Sequence, residues 1–210
     1  METTSGIKSA LVITGGYCNI DLARSLIPPH ADLIIAADSG YDTAEKLGIK
    51  PDIAMGDFDS MKGRLPEGLE TLRVACEKDV TDTMLACEYA KDNGCREITI
   101  IGGTGGRIDH SLSNVFYLEE LKREGICAML TDGANTVRVI EDECVKIPAS
   151  GGYFSIFAVS KCTVTESGCK YPLNNATLVR ERPYALSNEV TADEATLTVE
   201  GTAILVTSRK

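Results

Sequence analysis

The sequence predicts an α/β chain in two parts: an N-terminal α/β domain on a parallel sheet, then a small C-terminal antiparallel β-sandwich. Three observations predict it. Short continuous apolar runs alternate with amphipathic stretches over about the first 133 residues. Glycines or carboxylates stand directly after each of those runs. After about Asn135 helical spacing disappears, and short stretches rich in Val, Thr, Ile and Phe replace it. The boundary is set at 134/135, giving domains 1–134 and 135–210.

The apolar runs are Ala10–Ile13, Leu33–Ala37, Ile53–Met55, Ile98–Ile101 and Ala128–Leu130. Runs of this length without polar alternation suit strands buried on both faces, as parallel strands are. Asn19–Ile27 reads as a short helix stopped by Pro28-Pro29. Asp79–Asn93 places Val80, Met84, Cys87 and Ala90 on one face, with Gly94 as the stop. Arg107–Glu124 places Ile108, Leu112, Val115, Phe116 and Leu121 at helical spacing before Gly125. Strand–helix alternation of this kind argues a layered α/β fold. In the second half the strand candidates are Val137–Ile140, Tyr153–Val159, Thr163–Thr165, Ala176–Val179, Thr196–Val199 and Ala203–Thr207. Glu200-Gly201 reads as a tight hairpin turn between the last two.

Bulk properties narrow the function. A net charge of −10 repels phosphate backbones and argues against nucleic acid as a partner. It favours a cationic small molecule. No apolar stretch approaches a membrane span, and the N-terminal residues show no secretory leader pattern, so the expected compartment is the cytoplasm. The eight cysteines lack C-x-x-C spacing and read as reduced core thiols. With two histidines, His30 and His110, a zinc site of the usual spacing is excluded.

Ligands of parallel α/β sheets bind at the carboxyl ends of the strands. Here those ends carry Gly15-Gly16, Asp38-Ser39-Gly40, Gly56-Asp57-Phe58-Asp59-Ser60, Gly102-Gly103-Thr104-Gly105-Gly106-Arg107 and Asp132-Gly133. Asp57 and Asp59, two apart on extended chain, point to one side and can share a hard cation; an acidic surface loop would carry the same residues. Asp79 and Asp82 suit a helix N-terminus as N-cap and N3, or add metal-facing carboxylates. Gly102, Gly103, Gly105 and Gly106 offer backbone for phosphate contact, and Arg107 a bidentate partner; a tight strand-to-helix turn explains the glycines equally. The loop lacks both the Walker ending and the dinucleotide spacing. Asp109 and His110 fall in the first turn of the helix that follows.

Ala37-Asp38-Ser39-Gly40, Gly56-Asp57-Phe58-Asp59-Ser60, Lys78-Asp79-Val80-Thr81-Asp82 and Gly105-Gly106-Arg107-Ile108-Asp109-His110 occur in an order that resembles the bacterial thiamine pyrophosphokinase family. Gly168-Cys169-Lys170-Tyr171-Pro172-Leu173 and Ser187-Asn188-Glu189 resemble its C-terminal signatures. The resemblance implies a Rossmann-like α/β catalytic domain, a β-sandwich, and a homodimer with thiamine near the subunit interface. It implies Mg²⁺ on Asp57, Asp59 and Asp82 with ATP as co-substrate. Asp38, Gly102, Gly103, Gly105, Gly106, Arg107 and Asp109 would line the nucleotide mouth. Ser187, Asn188 and His110 would reach thiamine. The chain has no Trp, so Tyr171 is the candidate aromatic partner for the thiazolium. The implied reaction is attack of the thiamine alcohol on the β-phosphorus of ATP with release of AMP, with Asp79 or Asp109 as candidate acceptor of the alcohol proton. The alternatives are a pyrophosphokinase for another alcohol such as a hydroxymethylpterin, a non-catalytic thiamine or nucleotide sensor, and a nicotinamide-dependent oxidoreductase, which the missing glycine fingerprint disfavours.

Overall fold

The computed structural model describes residues 7–59, 61, 63–73, 80–105 and 107–209. Asp79 and Gly106, both site candidates, lie outside them. By its internal contacts the chain divides into two units, Met1–Gly133 and Ala134–Lys210.

In the first unit the apolar runs form parallel strands β1 (Lys8–Ile13), β2 (Leu33–Ala37), β3 (Ile53–Gly56), β5 (Cys95–Ile101) and β6 (Cys127–Thr131), with the polar edge strand β4 (Glu70–Arg73) added. Their order is β6-β5-β1-β2-β3-β4. The chain therefore builds outward from β1 to β4, then returns to lay β5 against the free edge of β1. Strand β4 was not legible in the sequence because its residues are all exposed and show no apolar pattern.

Helices cover both faces. Leu11, Ile13 and Ile101 pack with Ala23, Ala44 and Leu47, which come from α1 (Ile20–Ala23) and α2 (Gly40–Leu47). Asn19 caps α1, its Oδ1 accepting from the Leu22 N–H at 3.2 Å, and a 3-10 turn over Arg24–Leu26 completes the predicted helix. Helix α2 escaped the sequence reading because it opens on Gly40 and Tyr41, which are weak helix formers. Ala10 and Val12, pointing the other way along β1, are equally buried.

Two helix predictions need correction. Helix α3 spans Asp82–Asp92 and is capped by Thr81, whose Oγ1 accepts from the Met84 N–H at 3.2 Å, so Asp82 is the first helical residue and not the third. Its buried stripe is Thr83, Ala86, Cys87 and Ala90. Helix α4 (Ile108–Arg123) buries Asn114, Tyr117, Leu118 and Leu121, whereas Ile108, Leu112 and Phe116 are 75%, 48% and 50% exposed. The helix carries two apolar stripes, and the sequence alone does not say which meets the core. Helices α3 and α4 are joined by the Tyr117 hydroxyl, which donates to Glu88 Oε1 at 2.5 Å. Glu88 also pairs with Lys91 at 2.7 Å.

The second unit is antiparallel. Its strands are β7 (Asn135–Glu141), β8 (Cys144–Pro148), β9 (Tyr153–Ser167), β10 (Ala176–Val179) and β11 (Glu194–Ser208). Glu200-Gly201 is not a hairpin turn: β11 runs through it as one strand, with a register shift against β9 between Gly201 and Ala203. The Gly201 N–H donates to Asp142 Oδ1 at 2.6 Å, which holds the irregularity in place. The two predicted strands at Tyr153–Val159 and Thr163–Thr165 are likewise one strand. β9 pairs along β11, while β8 and β7 pair with successive halves of the opposite edge of β11. One cluster including Ile140, Ile147, Phe154, Val164, Leu197 and Leu205 fills the interior.

Burial raises the Glu88 carboxyl, but hydrogen bonds from Lys91 and Tyr117 outweigh it and hold the group below its ordinary value. That stability is present above the unfolded carboxylate range and is lost as pH falls through the folded value. Tyr117→Phe is expected to cost about 1 kcal/mol near neutral pH. In denaturant titrations the deficit should shrink below about pH 3. An equal deficit at both pH values would show that Glu88 charge is not involved.

Candidate active site

The site is built where the chain returns to the centre of the sheet. The Thr14 N–H, just after β1, donates to the Ile101 carbonyl at 2.8 Å, and the Gly102 N–H donates to Thr131 at 2.9 Å. The loops after β1 and β5 then meet through a bridge between Tyr17 and Thr104. A Cβ on Gly16 would lie 2.0 Å from the Gly102 carbonyl oxygen. One on Gly105, which has φ +81°, would lie 2.6 Å from Tyr17 Cβ. The glycines are required because two backbones occupy the space of their side chains.

A cleft of about 920 Å³ opens beside these loops. It is lined by Asp38, Asp57, Asp82, Gly102, Gly103, Gly105, Arg107 and His110, among others. The structure thus gathers on one surface candidates that the sequence spreads over 73 positions, from 38 to 110. Asp59 joins them through the carboxylate cluster: one oxygen each of Asp38, Asp57 and Asp59 lie within 4.8 Å of one another.

The backbone that brings these carboxylates together is strained. Asp38 has φ +49° and Phe58 φ +63°, left-handed values that are uncommon outside glycine. Gly56 is needed because a Cβ there would come within 3.2 Å of Asp38 Cβ. The Asp59 N–H donates to Asp57 Oδ1 at 3.1 Å, fixing the turn between the two acids. Asp38 Oδ1 is buried without a hydrogen-bond partner among the described residues. Burial pushes the Asp38 carboxyl above its ordinary value, and the negative charges of Asp82, Asp57 and Asp59 push it further, against a partial offset from the Ser39 N–H. An orphaned buried oxygen among like charges fits a hard oxygen-seeking cation such as Mg²⁺. The sequence grouped Asp82 with Asp57 and Asp59; in the structure Asp38 completes the close trio, and Asp82 stands at the start of α3 as an electrostatic neighbour.

Both parts of the sequence match family models. Residues 25–130 match the thiamin pyrophosphokinase catalytic domain, and residues 139–204 match the thiamin pyrophosphokinase vitamin B1 binding domain. The thiamine pyrophosphokinase of Bacillus subtilis (strain 168) is 30% identical over 212 residues, covering 96% of this chain and 99% of that protein. The chain belongs to the thiamine pyrophosphokinase family. Among solved structures, the Bacillus subtilis enzyme superposes with a TM-score of 0.85 at 28% identity, covering 97% of this chain and 100% of that one. The Geobacillus thermodenitrificans enzyme gives 0.80 at 27% identity, over 96% and 98% of the two chains.

Two buried residues that support the glycine loop were missed as site residues. Asn114 is 5% exposed and donates to the Gly103 carbonyl at 2.7 Å. Asp132 is 6% exposed and accepts from Thr104 Oγ1 at 3.1 Å. The signal for Asn114 was its spacing: it lies four residues after His110 and three before Tyr117, an amide inside a helical core stripe.

Arg107 is engaged by Asp109, with Nε at 3.2 Å and an Nη at 2.5 Å from its two oxygens. The guanidinium holds the Asp109 carboxyl below its ordinary value. While that pair is closed, the Asp109 carboxylate is a poor proton acceptor.

In the second unit Tyr171 is 61% exposed, and Lys170 Nζ stands 5.6 Å from its ring centre. Ser187 is exposed at φ +54°, its N–H donating to Ser155 Oγ at 3.0 Å. Asn188 departs from the expected substrate contact. It is 4% exposed, and its side-chain amide is fully engaged inside the unit.

A group whose folded pKa is raised contributes stability at low pH that is lost as pH rises through the folded value. Asp38→Asn is therefore expected to raise the thermal midpoint of metal-free protein near about pH 8 and give no gain near about pH 3. The same variant should lose activity. A midpoint unchanged at both pH values would show that Asp38 is not under electrostatic stress.

Proposed function

We propose that this chain transfers the pyrophosphoryl group of ATP to the hydroxyl of thiamine, giving thiamine diphosphate and AMP. The observation that carries the reading is a cleft lined by glycine backbone and by Asp38 and Asp57, two members of a close carboxylate trio with Asp59, in a chain matched by both family models. The first unit would take ATP and Mg²⁺, and the second would recognise thiamine.

In this reaction the thiamine oxygen bonds to the β-phosphorus and gives up its proton, which ends in solvent, while the bond from that phosphorus to the α-phosphate bridging oxygen breaks and AMP leaves with that oxygen. Asp38, Asp57 and Asp59 would hold Mg²⁺, with Asp82 adding to the field. When bound there, Mg²⁺ supplies neutralisation of charge spread over the phosphate oxygens. The glycine loop, held from below by Asn114 and Asp132, lets phosphates approach backbone. Arg107 can exchange Asp109 for a phosphate, because both members of the pair are exposed. His110 faces the same cleft. Positioning of nucleophile and leaving group is the chief demand of such a transfer.

The exposed ring of Tyr171 suits a cationic thiazolium, and Ser187 would contribute a hydroxyl. The assembly we propose is a homodimer with thiamine near the subunit interface. The Ile108, Leu112 and Phe116 stripe supports it, since an exposed apolar stripe beginning beside the cleft is suited to burial by a second copy. We place the enzyme in the cytoplasm. Every described cysteine is a free thiol, and no helix among the described residues is long and apolar enough to cross a membrane.

Purified protein given thiamine, ATP and Mg²⁺ should release AMP and thiamine diphosphate in equal amounts by chromatography, and chelation should stop both. Folded protein yielding no thiamine diphosphate would overturn the assignment. Asp57→Asn keeps side-chain volume and removes one charge, so turnover should fall by roughly a hundredfold or more while the metal-free protein stays folded with a thermal midpoint no lower than that of the unmodified chain. Near-normal turnover in that variant would remove Asp57 from the cation site.

A further inference from the structure

We infer that Glu166 is a positioning residue for thiamine: by accepting a hydrogen bond from the Asn188 amide, it fixes the backbone at Tyr171 and Glu189. The inference rests on the reading of Tyr171 and Ser187 as thiamine-facing residues.

The geometry is specific. Asn188 Nδ2 donates to Glu166 Oε2 at 2.9 Å and to the Tyr171 carbonyl at 3.0 Å. Asn188 Oδ1 accepts from the Tyr171 N–H at 3.0 Å and from the Glu189 N–H at 3.0 Å. Two donors and two lone pairs exhaust what an amide can offer. Asn188 therefore grips both backbone groups of Tyr171, as a neighbouring strand would. Three of its four partners are backbone groups of the segments it ties together. The fourth, Glu166, is a side chain on β9, and it takes the amide proton that the backbone partners leave over.

Glu166 is 4% exposed. Burial pushes its carboxyl up to about 7, against hydrogen bonds from Asn188 and the Cys169 thiol, whose Sγ lies 3.9 Å from Oε2. For packing alone, an apolar side chain of similar volume would serve without that penalty. What an apolar side chain lacks is an acceptor for the Asn188 amide, which would then be buried unpaired. On the outer side, Lys170 pairs with Glu189 at 2.8 Å and stands over the Tyr171 ring. The Tyr171 segment is thus held by the Asn188 amide on the inside and by the Lys170–Glu189 ion pair outside, beside a backbone bond from the Lys170 N–H to the Glu189 carbonyl at 2.9 Å. Ser187 is carried along, since the Asn188 backbone exchanges two hydrogen bonds of 2.9 Å with Phe154 on β9.

The test compares Glu166→Leu, which removes the acceptor, with Glu166→Gln, which keeps one. Glu166→Leu should raise the KM for thiamine by roughly tenfold. It should leave kcat and the KM for ATP within about twofold. Hydrogen exchange at the Tyr171 and Glu189 amides should quicken while β9 and β11 stay protected. Glu166→Gln should restore both the KM and the protection. An unmoved thiamine KM in Glu166→Leu overturns the inference, as does an equal rise in both substrates' KM. So does a Glu166→Gln as impaired as the leucine variant, which would make charge and not the acceptor responsible. If Glu166→Leu does not fold, Asn188→Ser must show the same thiamine-selective rise, and an unchanged KM overturns the proposal. Failure of the unmodified protein to make thiamine diphosphate would sink the functional reading itself. Normal wild-type turnover with an unmoved thiamine KM in the leucine variant sinks the present inference alone.

Discussion

Two strands that are far apart in the sequence, β1 and β5, lie side by side at the centre of the first unit, and their following loops run into each other. The contact leaves no room for side chains: a Cβ at Gly16 would sit 2.0 Å from the Gly102 carbonyl oxygen. Gly40 is constrained in the same way, with a hypothetical Cβ 2.0 Å from the Ile13 carbonyl oxygen. Because the chain leaves β1 in one direction and returns to β5 from the other, the two halves of the sheet diverge at this point, and a crevice is unavoidable. The cleft, the glycine loop and the carboxylates on its wall all depend on that backbone contact. Asn114 and Asp132, both buried, tie the loop to the body of the unit through the Gly103 carbonyl and the Thr104 hydroxyl.

Around the crevice the protein holds an unfavourable arrangement. Asp38, Asp57 and Asp59 converge, with Asp82 nearby, and Asp38 Oδ1 is left without a partner among the described residues. Left-handed backbone at Asp38 and Phe58 adds strain. Repulsion, desolvation and backbone strain all oppose folding, and the remainder of the sheet must stabilise them. The buried strands β1, β2 and β3 that carry these loops supply that stability. Stress of this kind is what the proposed Mg²⁺ site would relieve on binding the ion.

The second unit meets a different demand. Its exposed Tyr171 and Ser187 stand on chain outside the long strands, tied in by isolated backbone bridges at Phe154–Asn188 and Cys169–Val190. The Asn188 amide adds to those bridges at Tyr171, and Glu166 accepts from the amide. Glu166 is a buried carboxylate retained at a cost, and it satisfies a donor. Cys169, beside it, is a buried thiol whose pKa burial raises, and it behaves as a small packing residue.

The sequence by itself determined the two-part α/β and antiparallel architecture, the five central strands and the loops that bear the site. These features are local: an apolar run reports its own burial, and a glycine or aspartate after it reports the strand end. The partners of each element were not local. Which stripe of α4 faces the core, whether Glu200-Gly201 turns or continues, and that polar β4 joins the sheet edge were settled by neighbours distant in sequence. For the same reason Asp38, and not Asp82, completes the close carboxylate trio: left-handed backbone at Asp38 and the missing Cβ of Gly56 bring two strand ends together. The roles of Asn114, Asp132 and Glu166 were not legible because each acts on a group that only the folded chain delivers to it: the Gly103 carbonyl, the Thr104 hydroxyl and the Asn188 amide.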